Sequence, residues 1–198
     1  MVNQGKWRAI LLFGMPGSGK GTQGKVLGSL LGFLHIATGD IFRNLSKLGP
    51  LGKEVDRYTS EGKLVPDELT VQVWRNHMGL LSREGKFDPA KQIIILDGLP
   101  RTYAQAKIID DQIQVLRIYY LKLQSDEEAV ERIKARALKE GRVDDAREVV
   151  IRKRLETFYQ ETKATIEYYD PSLVTDVNAS RRPIEILAEL ARDLGTRI

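Results

Sequence analysis

A short apolar run that ends in a crowd of glycines constrains this chain more than any other stretch. Ala9 to Phe13 has the length and continuity of a strand buried on both faces. Gly14, Gly17, Gly19 and Gly21 follow it, and from Thr22 the sequence suits a helix. Residues without Cβ let successive backbone N–H groups converge on an anion, and the positive end of the helix dipole adds to them. Lys20 brings a point charge to the place where terminal phosphate oxygens would lie. Gly14-Met-Pro-Gly-Ser-Gly-Lys20 meets the GxxxxGK part of the phosphate-binding loop (P-loop) pattern, but Gly21 stands where Ser or Thr normally comes next. Thr22 follows one place later. A glycine-rich turn with a surface lysine is the plainer alternative, and the buried strand before it favours the phosphate site.

Apolar runs alternate with helical patterns along the rest of the chain, which predicts an α/β fold with a five-stranded parallel sheet. Strands are expected at Trp7–Phe13, Phe33–Ile36, Gln92–Leu96, Val115–Leu121 and Leu173–Val177. Helices are expected near Gly19–Leu31, Thr102–Gln112, Asp126–Leu138, Asp145–Tyr168 and Pro183–Leu194. The rhythm breaks from Thr38 to about Arg83, where helix follows helix around a turn at Ser60–Pro66. Such an insert is either a substrate-binding lobe or a decoration packed on the sheet. At 198 residues the chain suits one domain. No apolar run reaches membrane-spanning length, and the first residues lack a secretory pattern. There is no cysteine, which excludes disulfides and thiolate metal sites. A cytoplasmic location is expected. The net charge of +4 points to an anionic partner, but basic and acidic residues are interspersed, which favours a small polyphosphate over nucleic acid.

Two further clusters suit phosphate chemistry. In Ile93-Ile-Ile-Leu-Asp97-Gly98-Leu99-Pro100-Arg101, an acid ends a buried strand, where a Mg²⁺–water cluster on a phosphate chain needs a partner. Arg101 can grip phosphate with two N–H groups. The alternative is that Asp97 caps a helix and Arg101 is solvated. Arg132 and Arg136, four apart, share a helix face, and Arg142, Arg152 and Arg154 follow. Preorganised guanidinium groups stabilise a transferring phosphoryl group; a solvated basic face is the alternative, preferred for Arg152. His35 and His77 have no metal-ligand spacing and read as structural or surface residues. Trp7 and Trp74 read as packing.

Taken together, Gly14-Met-Pro-Gly-Ser-Gly-Lys-Gly-Thr-Gln23, His35-Ile-Ala-Thr-Gly-Asp-Ile-Phe-Arg43, Gly62-Lys-Leu-Val-Pro-Asp-Glu68, Leu96-Asp-Gly-Leu-Pro-Arg-Thr-Tyr-Ala-Gln105 and Gly141-Arg-Val-Asp-Asp145 resemble the adenylate kinases, in order and in spacing, over nearly the whole chain. The resemblance implies one P-loop kinase domain over 1–198, with an insert at 38–67 for the nucleoside monophosphate and a short lid at 137–144. It implies transfer of the γ-phosphate of ATP to AMP, reversibly giving two ADP, by a monomer that needs nucleotide-bound Mg²⁺, no zinc, no nucleic acid and no membrane. Carried over residue by residue, Gly17, Ser18, Gly19, Lys20, Gly21, Thr22, Arg132, Arg136 and Arg182 would serve ATP. Thr38, Gly39, Arg43, Lys63, Leu64, Val65, Gly98, Arg101 and Gln105 would serve AMP. Lys20, Asp97, Arg101, Arg142 and Arg154 would surround the transfer itself.

The chain departs from the family pattern in three places. The lid is short, since only Ala137 to Gly141 separates Arg136 from Arg142. Leu99 stands where Phe is usual. Arg142 and Arg154 are twelve residues apart where relatives have eleven. One extra helical residue turns a side chain by about 100°, so an irregularity is expected near Asp144–Val149 if both arginines are to face one phosphate chain. Two alternatives remain at this point: a UMP/CMP kinase of the same fold, and a P-loop protein that binds ATP and transfers nothing.

Overall fold

The computed structural model describes residues 5–45, 49–141 and 147–197. Five strands, β1 (Trp7–Phe13), β2 (Phe33–Ala37), β3 (Ile93–Asp97), β4 (Ile113–Lys122) and β5 (Val174–Asn178), form one sheet in the order β2-β3-β1-β4-β5. Every pairing is parallel. Such sheets bury both faces, so β1 and β3 are nearly uninterrupted apolar sequence. Alternate residues divide between two cores. Ala9, Leu11, Phe13, Ile94 and Leu96 meet Trp74 and Met78 on one face, while Ile10, Leu12, Ile95 and Leu121 meet Leu27, Ile186 and Leu190 on the other.

The helices covering these faces are α1 (Lys20–Gly28), α2 (Thr38–Asn44), α3 (Pro50–Thr59), α4 (Asp67–Arg83), α5 (Tyr103–Asp110), α6 (Asp126–Glu140), α7 (Glu148–Thr157), α8 (Lys163–Thr165) and α9 (Pro183–Arg197). The expected run of helices after Thr38 is α2, α3 and α4. All strands point one way, so their carboxyl ends share an edge. There Asp97 lies level with Leu12 of β1 and Ala37 of β2. The chain builds β2 and β3 on one side of β1 and then crosses to β4 on the other, and crevices form at such reversals of strand order.

Two expectations need correction. The helix expected over Asp145–Tyr168 starts at Glu148, with Arg147 extended before it. It then passes through a π-helical turn at Phe158–Thr162 and a 3₁₀ turn at Ile166–Tyr168. Threonine hydroxyls that bond back to carbonyls four residues earlier, Thr157 to Lys153 at 2.8 Å and Thr165 to Glu161 at 3.0 Å, bend helices in this way. The described part of α7 is regular from Glu148 through Arg154, and residues 142–146 lie outside the described residues. In addition, α6 reaches Glu140, two residues beyond the expected end at Leu138.

One polar network holds α9 to the sheet. Pairing of β1 with β4 skips Leu116, so Arg117 comes level with Ile10. Arg117 is buried and donates to the Asp193 carboxylate at 2.9 Å, to the Ser172 carbonyl at 2.8 Å and to the Thr175 hydroxyl at 2.7 Å. Tyr119 also donates to Asp193, at 2.8 Å. Burial opposes the Asp193 charge, yet hydrogen bonds from Arg117, Tyr119 and Arg197 outweigh it and hold the carboxyl at about 2. That lies below the unfolded value of about 3.9, so the stabilisation is complete above roughly pH 4 and is lost as pH falls towards 2. Asp193→Asn strands the guanidinium and is expected to cost about 3 kcal/mol in urea melts at neutral pH. Tyr119→Phe should cost about 1 kcal/mol. An Asp193→Asn protein as stable as the parent would contradict this account.

Candidate active site

The glycine loop closes over the carboxyl end of β1, and its conformation depends on residues without side chains. Gly14, Gly17 and Gly19 have φ of 143°, 85° and 93°. A Cβ at Gly14 would lie 2.5 Å from the Leu121 carbonyl, and one at Gly17 would lie 2.9 Å from the Ala129 carbonyl. The loop is therefore pressed between β4 and α6 as well as turned. Gly19 is the N-cap of α1, so the helix N-terminus faces the loop. Lys20 folds back, and its Nζ donates to the carbonyls of Gly14 at 2.6 Å and Met15 at 3.0 Å. Burial lowers the Lys20 ammonium to about 8, helped by the Arg101 and Arg136 charges and opposed by Asp97. Ser18 is buried and its hydroxyl has no hydrogen-bond partner among the described residues.

Across the crevice, Asp97 ends β3. Burial works against its charge, but His35, Lys20 and Arg101 keep the carboxyl below the usual carboxylate range. His35 is thus no surface residue: its Nε2 lies 3.9 Å from Asp97 Oδ2. Its ring fills the space that Gly24 leaves on α1, where a Cβ would approach it within 2.4 Å, and one at Gly28 would lie 2.5 Å from the His35 Cβ. Asp97 lies 3.5 Å from the Cβ position of Gly21. Among the described residues no three His, Cys, Asp or Glu cluster to form a cage for a metal. A lone carboxylate beside a phosphate loop suits Mg²⁺ that keeps phosphate and water ligands, as this ion prefers.

The helical insert supplies the opposite wall. Gly39, Arg43, Lys63, Leu64, Val65, Gly98, Arg101 and Gln105 line one cavity of about 1300 Å³ with Gly17 through Thr22. Thr38 is buried behind this wall and donates to the Gly98 carbonyl at 2.8 Å. Leu99 is buried in the core, so only its neighbours Gly98 and Pro100 reach the cavity. Gln105 accepts from the Arg101 amide at 2.7 Å and donates to Asp67 at 2.8 Å. Gly62, with φ of 73°, lets the turn after α3 approach α7, since a Cβ there would lie 3.0 Å from the Val150 carbonyl. Arg147 donates to the Ser60 carbonyl at 3.0 Å and ties the two sides together.

Arg132, Arg136 and Arg154 line the same cavity. Arg132 also donates to the Ala179 carbonyl at 2.9 Å and pairs with Glu128 at 2.7 Å. Arg142 lies outside the described residues. The Arg182 side chain is exposed, pairs with Glu185 and does not line the cavity, whereas Arg181 and Pro183 beside it do. Sequence reasoning missed Gln23, whose Nε2 donates to the Pro183 carbonyl at 2.9 Å, and Asp67. Both stand inside motifs already quoted, but their roles depend on contacts distant in sequence.

A sequence profile of the family described as adenylate kinase matches residues 12–173. The chain is 40% identical over 177 residues to an adenylate kinase of Micrococcus luteus, covering 86% of this chain and 82% of the relative. It is 41% identical over 165 residues to an adenylate kinase of Cyanothece sp., covering 81% and 80%. It is 35% identical over 195 residues to an adenylate kinase of Thermus thermophilus, covering 95% and 97%.

The lowered Lys20 value makes a measurable difference. Below about pH 8 the folded and unfolded chains both hold the proton, and the penalty of the buried charge is fully present. Between about 8 and the ordinary 10.5, the unfolded chain holds a proton that the folded one has released, so stability of the nucleotide-free protein rises with pH there. NMR of ¹³C-methylated lysines is expected to show one amine titrating near 8, shifted upward by ATP and absent in Lys20→Arg. Titration of every lysine above 10 without nucleotide would contradict the burial described.

Proposed function

The chain belongs to the adenylate kinase family and is an ATP:AMP phosphotransferase, and on that premise we propose how its residues divide the work. ATP phosphates lie in the loop Gly17–Thr22 on Lys20, with Arg132 and Arg136 beside them and the base near the backbone at Arg182–Pro183. AMP lies against Gly39, Arg43, Lys63–Val65, Gly98, Arg101 and Gln105, and Thr38 supports Gly98 from behind. Residues 38–67 act as the monophosphate-binding insert, and residues 137–144 act as a short lid carrying Arg142. The observation that carries this division is that Lys20, Asp97, Arg101 and Arg154 border one cavity between the loop and the insert.

No covalent intermediate is needed. Phosphoryl transfer asks the protein chiefly for in-line positioning and for fixed positive charge around a group whose negative charge is spread over its oxygens. Lys20 and the loop amides hold the donor, Arg101 orients the acceptor phosphate, and Arg154 with Arg142 neutralises charge at the transfer. Closure of insert and lid keeps water out, which matters because an open site would hydrolyse ATP. Asp97 would hold nucleotide-bound Mg²⁺ through water, and that ion neutralises phosphate charge. Zinc has no part in this proposal, and the absence of cysteine supports leaving it out. Because one chain supplies every group, a monomer suffices. A chain without cysteine also suits a cytoplasmic enzyme. The intermixed charges support small nucleotides, and no nucleic acid, as partners.

Gln105 offers a donor and an acceptor that suit the N1 and 6-amino edge of adenine. We expect kcat/KM for AMP to exceed that for CMP and UMP by roughly four orders of magnitude, with activity dependent on added Mg²⁺. Comparable values for AMP and CMP would replace the AMP assignment with a pyrimidine one. Lys20→Ala should remain folded and lose about a hundred- to a thousandfold in kcat; near-parental turnover would remove Lys20 from the centre of the mechanism.

A further inference from the structure

We propose that Asp67 is a positioning residue that fixes which way round the Gln105 amide points, and that this lets the acceptor site reject 6-oxo purine monophosphates. The proposal rests on the reading of Gln105 as the group that meets the acceptor base. A glutamine amide is ambiguous by itself, because exchanging its oxygen and nitrogen exchanges an acceptor for a donor. Adenine presents an acceptor at N1 beside a donor at its 6-amino group. A 6-oxo purine presents a donor at N1–H beside an acceptor at O6. An amide free to rotate by half a turn matches either edge equally well, so discrimination needs something that holds it one way.

The surroundings of Gln105 do this from both ends. The residue is 1% exposed. Its Oε1 accepts from the Arg101 backbone N–H at 2.7 Å, a group that only donates. Its Nε2 donates to Asp67 Oδ1 at 2.8 Å, and an ionised carboxylate only accepts. In the flipped amide, Nε2 would face an N–H and Oε1 would face a carboxylate, leaving two buried mismatches. The carboxylate is itself held: the Thr102 hydroxyl donates to the same Oδ1 at 2.9 Å while accepting from the Gln105 N–H at 3.1 Å. These bonds still leave the amide one N–H and one lone pair, the pair that the adenine edge requires.

Asp67 is the first residue of α4, whereas Thr102 and Gln105 belong to the cap and first turn of α5. A purely structural role, tying α4 to α5, would lower stability or kcat without regard to the base. A positioning role would change the choice between bases. The test compares AMP with inosine monophosphate, which carries the 6-oxo edge and no 2-amino group. In the parent enzyme, kcat/KM should favour AMP by roughly four orders of magnitude. In Asp67→Asn, whose amide can face Gln105 either way round, that ratio should fall at least tenfold. The fall should come from a higher KM for AMP, with KM for ATP unchanged. Asp67→Ala should move the ratio in the same direction. Should Asp67→Asn melt below the assay temperature, Thr102→Val, which frees the carboxylate, should give a smaller shift of the same sign. Gln105→Ala should abolish the preference. If Gln105→Ala abolishes it while the Asp67 and Thr102 variants keep the parental ratio, the positioning role is overturned. If Gln105→Ala itself keeps the ratio, the base does not meet Gln105, and the reading beneath the proposal falls instead.

Discussion

A buried ammonium resting on the carbonyls of its own loop is the contact around which this molecule is arranged. Lys20 Nζ lies 2.6 Å from the Gly14 carbonyl and 3.0 Å from that of Met15. Those carbonyls turn inward because Gly14, Gly17 and Gly19 take backbone angles that side chains disfavour. The loop stays in place because β4 and α6 press on it at distances that leave no room for a Cβ. An arriving phosphate competes with two carbonyls for a cation that is short of water, and electrostatic attraction in such a setting far exceeds its value in solution. Parallel strands on both sides of β1 bring the loop to the middle of the sheet edge, where Leu12 is level with Asp97 and the Asp97 carboxylate acts on the Lys20 ammonium.

The acceptor side is organised by packing as much as by charge. Gly24 and Gly28 let α1 approach β2 closely enough for His35 to reach Asp97. Thr38 braces Gly98, and Asp67 braces Gln105. In each case a residue outside the cavity, or at its margin, fixes a group that faces it. Gly62 and Arg147 then bring the insert and α7 into contact, so Arg154 shares the cavity with Arg101.

Local features carried most of this into the sequence. Apolar runs gave all five strands to within a few residues, and the glycine spacing marked the loop together with its lysine. The irregular course of the chain after Thr157 was harder to see, because threonine back-bonding acts against an otherwise helical pattern. For His35 the sequence left a structural and a surface role open, and packing against α1 beside Asp97 makes it structural. Its partner Asp97 is distant in sequence, and the space for its ring comes from a glycine on yet another element. The Arg117–Asp193 pair is of the same kind, since only the skipped residue in β4 brings that arginine into register. Arg182 and Arg181 are adjacent, and only the turn into α9 decides which side chain borders the cavity. Residues such as Gln23, His35 and Asp67 stand inside motifs, but a motif does not show which distant groups they touch.

The most direct test follows the phosphate itself. ³¹P NMR of the enzyme with Mg²⁺ and ATP, with and without AMP, separates transfer to a nucleotide from transfer to water. A cavity that holds donor and acceptor together and closes on them should give two ADP for each ATP and AMP consumed. Without AMP, release of inorganic phosphate should be at least about a thousandfold slower, as expected where water is excluded. Inorganic phosphate released from ATP alone at a rate near that of ADP formation would contradict the account.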